Sequence, residues 1–313
     1  MVRFIRSAFI VAFAIGAATP AFAQPAKKAP AAATDDLSLL PVDSEMVAGL
    51  DFQSLQTSQL WKQFVEPMLG KGDVKKQMDE FKTNCGVDPM KVVTKISIGI
   101  KGIGQTNPDG VIVAHGVPKA KLVACYDKMT KMKKTDADIT RDGDVLIVKQ
   151  KSGGQTVAFS FLDDTTAVMV VGTQATAAGV KGVVKGTSAL KTSTAFVDFY
   201  KKTNTNDTLW LIMNGNSKAF DQLGAMGIKP KAVYGSLNVT KDLTLDLKVR
   251  FNTADEAKNL STMVNGQLKA AASMFDKITV TADGSDMKVA VLLTDAKLKA
   301  LMKQFAPMMN KQP

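Results

Sequence analysis

The chain offers few residues with chemistry to do, and their spacing decides what each can do. His115 is the single histidine. It closes the run Val111-Ile112-Val113-Ala114-His115, just before Gly116. A zinc site collects several His or Cys ligands, and one His beside two Cys falls short of that. No Gly-x-Ser-x-Gly elbow accompanies His115, so a hydrolytic triad has no nucleophile turn. The residue reads as a strand-end histidine held by a local hydrogen bond. Ser188-Ala189-Leu190-Lys191 fits the Ser-x-x-Lys spacing of penicillin-recognising enzymes. Ser285-Asp286 is followed by Met287, however, and Lys185-Gly186-Thr187 precedes the serine, so the companion motifs are missing. Gly99-x-x-Gly102-x-Gly104 follows a strand but runs into Asn107-Pro108-Asp109-Gly110, which is turn chemistry and no phosphate cradle. Asp163-Asp164 and Asp283-Gly284-Ser285-Asp286 lack the further oxygen ligands that calcium needs and read as strand turns. These residues imply no catalytic set, no metal and no cofactor.

Two cysteines remain. Val74, Met78, Phe81 and Cys85 fall on one helical face, and Leu122, Cys125, Tyr126 and Met129 on another. Both thiols therefore point inward, either as a disulfide or as two buried thiols, since spacing alone cannot give the Cα separation of a bridge. The helix from Pro118 to Lys134 is the densest basic element, with Lys119, Lys121, Lys128, Lys131, Lys133 and Lys134. It reads either as a docking surface for an anionic polymer or membrane, or as a solvated face over an apolar stripe.

The elements that must position these residues follow from periodicity. Leu60, Trp61, Phe64, Val65, Met68 and Leu69 form a helical stripe, and a second helix spans Asp73 to Asn84. Thr253-Ala254-Asp255-Glu256 is a capping box opening a helix whose buried face runs from Ala257 to Phe275. A last helix begins near Asp295. Strict alternation over Leu243 to Phe251 predicts a strand with one wet face in an antiparallel sheet. Shorter strands are expected at Ile96 to Ile100, Val145 to Lys149, Thr156 to Leu162, Ala167 to Val171 and Met287 to Leu293. Leu209 to Met213, apolar throughout, reads as a central strand buried on both sides.

Laid side by side, the two halves match. Gly86-Val87-Asp88-Pro89 leads into one strand and Gly227-Ile228-Lys229-Pro230 into another, and each is followed by a hairpin, a long helix, strands and a final helix. The fold expected is α+β, an internal duplication of antiparallel sheet with helices packed on one face, the first copy carrying an extra hairpin around Ser152 to Gln155. The expected division is a signal peptide over 1–23, a disordered Ala/Pro/Lys linker over 24–36, repeats over 37–186 and 187–309, and a tail over 310–313. This order of elements resembles uncharacterised exported bacterial proteins with duplicated ferredoxin-like halves. The resemblance carries no motif and implies no catalytic residue.

Arg3 and Arg6 precede an apolar run from Phe9 to Ala18, then Pro20 and the small-x-small site Ala21-Phe22-Ala23, which is the order of a secretory signal cleaved between Ala23 and Gln24. No later stretch is long and apolar enough to span a bilayer. The formal charge of +11 includes those two arginines, so +9 remains after cleavage, carried almost wholly by lysine; only Arg141 and Arg250 are left. Base readout and phosphate clamps favour arginine, so sequence-specific nucleic-acid binding is excluded. The expectation is an exported, non-enzymatic binding or scaffold protein of the cell envelope, periplasmic or extracellular, whose partner is an anionic envelope polymer, a lipid or another envelope protein. The alternative is a periplasmic carrier of a lipid or other apolar ligand; a hydrolase with an unrecognised site ranks third. Mass spectrometry of the protein secreted by a bacterial host should give an N-terminus at Gln24, and an intact Met1 overturns the signal assignment.

Overall fold

The computed structural model describes residues 35–70, 72–105, 107–131, 137–151, 154–186, 189–225 and 227–301. The signal peptide, the cleavage pair Ala23 and Gln24, the linker up to residue 34, Ser188, Lys133, Lys134 and the tail over 310–313 lie outside the described residues. In chain order the main elements are β1 (Met46–Asp51), α1 (Phe52–Thr57), α2 (Gly72–Cys85), β2 (Lys95–Lys101), β3 (Asp109–His115), α3 (Lys119–Lys131), β4 (Ala137–Asp142), β5 (Val145–Gln150), β6 (Thr156–Phe161), β7 (Thr166–Val171), α4 (Ala177–Lys185) and α5 (Thr194–Tyr200). They continue with β8 (Leu209–Asn214), β9 (Ala232–Val239), β10 (Leu243–Arg250), α6 (Ala254–Ala271), β11 (Lys277–Asp283) and β12 (Asp286–Leu293). A further helix covers 295–301. The fold is α+β, and the strand pairs whose register is resolved are antiparallel.

The chain forms two compact units. The first comprises the described residues up to Val47 together with Val65–Val197; the second comprises Ala48–Phe64 and the described residues from Asp198 onward. The sequence reading places one cut between 186 and 187, whereas here the segment 48–64 belongs with the later residues. Asp35 and Asp36, expected in the linker, are part of the fold: Asp35 caps a 3-10 turn over Asp36–Ser38.

Local chemistry sets the element ends. Thr176 Oγ1 accepts from the Gly179 amide at the start of α4, and Gly186 ends that helix in the left-handed region, where glycine carries no Cβ penalty. Thr253 and Glu256 form the reciprocal capping box of α6. The stripe beginning at Leu60 is interrupted: Trp61–Val65 is a π turn followed by a short helix over Glu66–Leu69.

In the first unit the strand order is β2-β3-β7-β6-β5-β4. Register puts Ala167 and Met169 of β7 on the same face as Phe159 and Phe161 of β6. That face lies under α3, whose Tyr126 ring packs on Phe159 at 4.9 Å. The opposite face holds Val168 and Val170, both buried, and receives α4. Helices therefore cover both faces, correcting the one-face expectation. The physical reason is the near-continuous apolar run of β7, Ala167 to Val171, which has no polar side to leave in water.

In the second unit the order is β8-β9-β10-β12-β11. β8 is hydrogen-bonded to β9, its neighbour in the chain. The split βαβ arrangement of ferredoxin-like halves would instead put another strand between them. α6 packs Ala257, Leu260, Val264 and Leu268 against Val280, Met287 and Phe251. The expected wet face of β10 is also partly covered. Arg250 makes a bidentate pair with Asp286, both bonds 2.6 Å, and lies 5.7 Å over the Phe199 ring at the end of α5. Tyr234, fully buried, donates to the same Asp286 at 2.9 Å. β8 alternates instead of being buried on both sides: Trp210 and Ile212 are buried, while Leu211 and Met213 are half-buried. Gly49 of β1 makes room for Trp210, since a Cβ there would fall 2.2 Å from the indole nitrogen.

Burial alone would push the Asp286 carboxyl up; the hydrogen bonds from Arg250 and Tyr234 outweigh it and hold the group below its ordinary value. A carboxyl with a depressed folded pKa contributes stability that is complete above its unfolded value, about 3.9, and is lost as pH falls through the folded value. Asp286→Asn should leave Arg250 half-buried without its partner and cost roughly 3–5 kcal/mol at neutral pH. The variant should also lose part of the stability decline expected below about pH 4. Urea unfolding across pH measures both, and an unchanged acid limb overturns this assignment.

Candidate functional site

Two groups of the residues singled out above are brought together, and the rest are separated. His115, at the end of β3, does not bond only locally. Its Nε2–H donates to Asp36 Oδ1 at 3.0 Å, across 79 positions of sequence. With Nε2 the donor, Nδ1 is the acceptor in the neutral ring and faces Thr166 Oγ1 at 3.4 Å. Ser97 Oγ donates to the second Asp36 oxygen at 2.6 Å. Asp36 thus sits between serine and histidine, so the order is Ser-Asp-His and not the Ser-His-Asp of a hydrolytic triad, and the cluster pins the segment after residue 35 to the sheet. The described part of the Ser-x-x-Lys motif places Ala189 and Leu190 in the core and Lys191 at the surface. At the glycine run, the Gly102 and Ile103 amides donate to the Glu45 carboxylate, which occupies the place a phosphate would need. Asp163 accepts from the Thr165 and Thr166 amides at 2.7 Å each. Its burial acts to raise the pKa, but these bonds outweigh it and hold the carboxyl below its usual value. Among the described residues no group of three or more His, Cys, Asp or Glu is arranged to hold a metal ion.

Cys85 and Cys125 meet. They form a disulfide with Cα atoms 4.7 Å apart, inside the roughly 4.4–6.8 Å range a bridge requires. The bridge joins the last residue of α2 to the middle of α3 and is buried with Val87, against Phe81, Leu122 and Met129. Of the lysine group, Lys119, Lys121, Lys128 and Lys131 are exposed along α3. Helical spacing puts Lys121, Lys128 and Lys131 on one side and Lys119 on another. Asp127 on the same helix is paired with Arg141 of β4 at 2.9 Å.

Beneath this stapled pair of helices lies a feature that residue-by-residue reading missed: a cavity of about 290 Å³ between α2, α3 and the β3-to-β7 face of the sheet. Its wall is aliphatic and aromatic, with Phe81 from α2, Tyr126 and Met129 from α3, and Phe159, Phe161 and Met169 from the strands. The sheet contributes small side chains at Ala114, Ala137 and Ala167, which is where the space comes from. Tyr126, Gln150 and Gln155 are the polar side chains on the wall, and no charged side chain is on it among the described residues. Burial pushes the Tyr126 phenol up to about 12, so it remains a neutral donor at any physiological pH. The sequence signal for the cavity was faint: the inward stripe Leu122, Cys125, Tyr126, Met129 was legible, but not that the strands opposite it are lined by alanine.

Neither a protein-family model nor a curated protein matches this sequence. A solved structure of TP0453, in its crystal form III, is similar with a TM-score of 0.52 and 8% sequence identity, over 88% of this chain and 100% of that one. At that identity the likeness is one of fold alone. No helix among the described residues is long and apolar enough to cross a membrane.

The bridge closes a loop of 40 residues, which on the chain-entropy account stabilises by about 4 kcal/mol. The double variant Cys85→Ser/Cys125→Ser should lose that much in denaturant unfolding. A loss under about 1 kcal/mol overturns the stapling role.

Proposed function

We propose that this chain is an exported, non-enzymatic carrier of an apolar ligand, held in the cavity of the first unit. The observation that carries the reading is the cavity itself. Ligand sites are concave, mostly apolar spaces of about 300–1,000 Å³ with a few polar groups that set orientation. This space, about 290 Å³, is just below that range, and it is about twice the ~150 Å³ engineered apolar cavity that takes up benzene. Each methylene moved into it from water contributes about 0.8 kcal/mol. A scaffold needs no such void, and closing one is favourable for any protein that does not use it. The carrier reading therefore stands ahead of the envelope-scaffold reading. Non-enzymatic status is supported by the engagement of His115, Asp36, Asp163 and Glu45 in pinning, turn and amide-capping contacts.

Export is supported by the order of residues in the first 23 positions and by the Cys85–Cys125 bridge, which suits an oxidising compartment. Lys121, Lys128 and Lys131 lie on the outer side of the helix that covers the cavity, which suits exchange with an anionic membrane surface. We further infer that the two units arose by duplication. In each, a hairpin (β2-β3, β9-β10) leads to a long helix (α3, α6), and the last strand (β7, β12) returns beside the second strand of the hairpin. Gly86 and Gly227, at matched positions before the hairpins, are both left-handed, at φ 62° and 77°. The first unit has four strands after its long helix and the second has two, which is the extra hairpin.

Titration of the protein with the neutral fluorophore N-phenyl-naphthylamine should give a saturable, blue-shifted signal at one site per chain. Ala167→Phe, and separately Ala137→Leu, fill the space and should lower that affinity at least about tenfold while the far-UV spectrum is retained. Undiminished binding in both filled variants overturns the proposal.

A further inference from the structure

The distribution of polar groups on the cavity wall says what kind of molecule fits it. Gln150 ends β5 opposite Ala137, and Gln155 stands just before β6, so both amides lie at one end of the space. The other end is closed by Phe161, Val117 and Ala167. A Cβ on Gly154 would lie 2.2 Å from Gln150 Oε1, so the Gln150 amide occupies the place that any larger residue at 154 would take. Gln155 Nε2 donates to the Pro108 carbonyl at 3.1 Å, which fixes that amide and leaves its oxygen as an acceptor. Among the described residues the Gln150 amide has no hydrogen-bond partner, and the Tyr126 hydroxyl partway along the cavity has none either. A half-buried amide without a partner, beside one that keeps a free acceptor oxygen, is what a ligand head at this end of an apolar space would satisfy.

Resting on the apolar-ligand reading, we propose that the occupant is a neutral single-chain amphiphile, its hydroxyl or amide head between Gln150 and Gln155 and its chain running past Tyr126 toward Phe161. Two physical limits select this class. A carboxylate or phosphate placed here would meet no cation on the wall, and an unpaired buried charge is strongly disfavoured. The volume of about 290 Å³, about twice the ~150 Å³ engineered cavity that takes up benzene, suits one aliphatic chain. The lysines of α3 do not alter this, because they are on the exposed side of the helix.

The test uses the bridged protein with isotope-labelled methionine methyls, so that Met129 and Met169 report from the wall itself. Decanol, decanoate and decane are titrated at about pH 7.5. Decanol should shift both methyl signals with an affinity at least about tenfold above that of decanoate. Gln150→Leu, which removes no hydrogen bond within the described residues, should weaken decanol about tenfold and leave decane unchanged. The decane titration thereby confirms that the variant cavity is intact. Decanoate binding as tightly as decanol overturns the neutral-head assignment. Decanol binding equally to the variant overturns the placement of the head at Gln150. If none of the three compounds moves either methyl, the apolar-ligand reading itself fails, a result distinct from the other two.

Discussion

A sheet face that carries alanine at Ala114, Ala137 and Ala167 among larger side chains leaves space under the two helices of the first unit. What keeps the helices from settling into that space is their attachment. α2 offers little apolar surface: Met78 and Cys85 are its buried side chains, Val74 and Phe81 are half-buried, and most of its other described residues are exposed. Area alone would hold such a helix weakly. The covalent link to α3 supplies a constraint that does not depend on area, and the Tyr126–Phe159 contact holds α3 on the strands. The cavity exists because a bond and a ring contact fix the roof while small residues lower the floor.

The second unit packs its long helix on the sheet directly. α6 is a full amphipathic helix with a reciprocal cap, and its inward residues meet Val280, Met287 and Phe251 directly. Its complication lies on the other sheet face, where a carboxylate, a guanidinium and a phenol are buried together. Asp286 accepts from both Arg250 and Tyr234, so each polar group is satisfied and the desolvation is offset by short, charge-assisted bonds. One unit thus spends its interior on a space and the other on a fully connected polar cluster.

What could be read beforehand was local. The Thr253–Glu256 box, the alternation of β10 and the inward stripe of α3 are set by residues within a few positions of one another, and the structure has all three. Cys85 and Cys125 were legible as inward-facing, but their separation was not, because it depends on how two helices pack. Asp36 resembles linker in sequence because its partner His115 is 79 positions away. Asp286 has the local pattern of a turn residue because its role depends on a strand register that brings Arg250 opposite it. The polar face of β10 alternates as a wet face does; in the fold Lys248 Nζ sits 5.7 Å over the Tyr234 ring and Arg250 5.7 Å over Phe199. Basic side chains can stack on aromatic rings and pair with a buried carboxylate, so residue type alone does not report burial. The cavity is the hardest case. It is a difference between two large volumes, and no single residue encodes it.

The same void has a mechanical side. Unfolding eliminates internal free volume, and the volume change on unfolding scales with what is eliminated. The space of about 290 Å³ under the two-helix roof is volume of this kind, and it makes that part of the first unit more compressible than the close-packed strands around it. A filled cavity has no such volume to surrender. Occupancy is therefore written into the protein's stiffness as well as its affinity, and resistance to compression becomes a property of the loaded state.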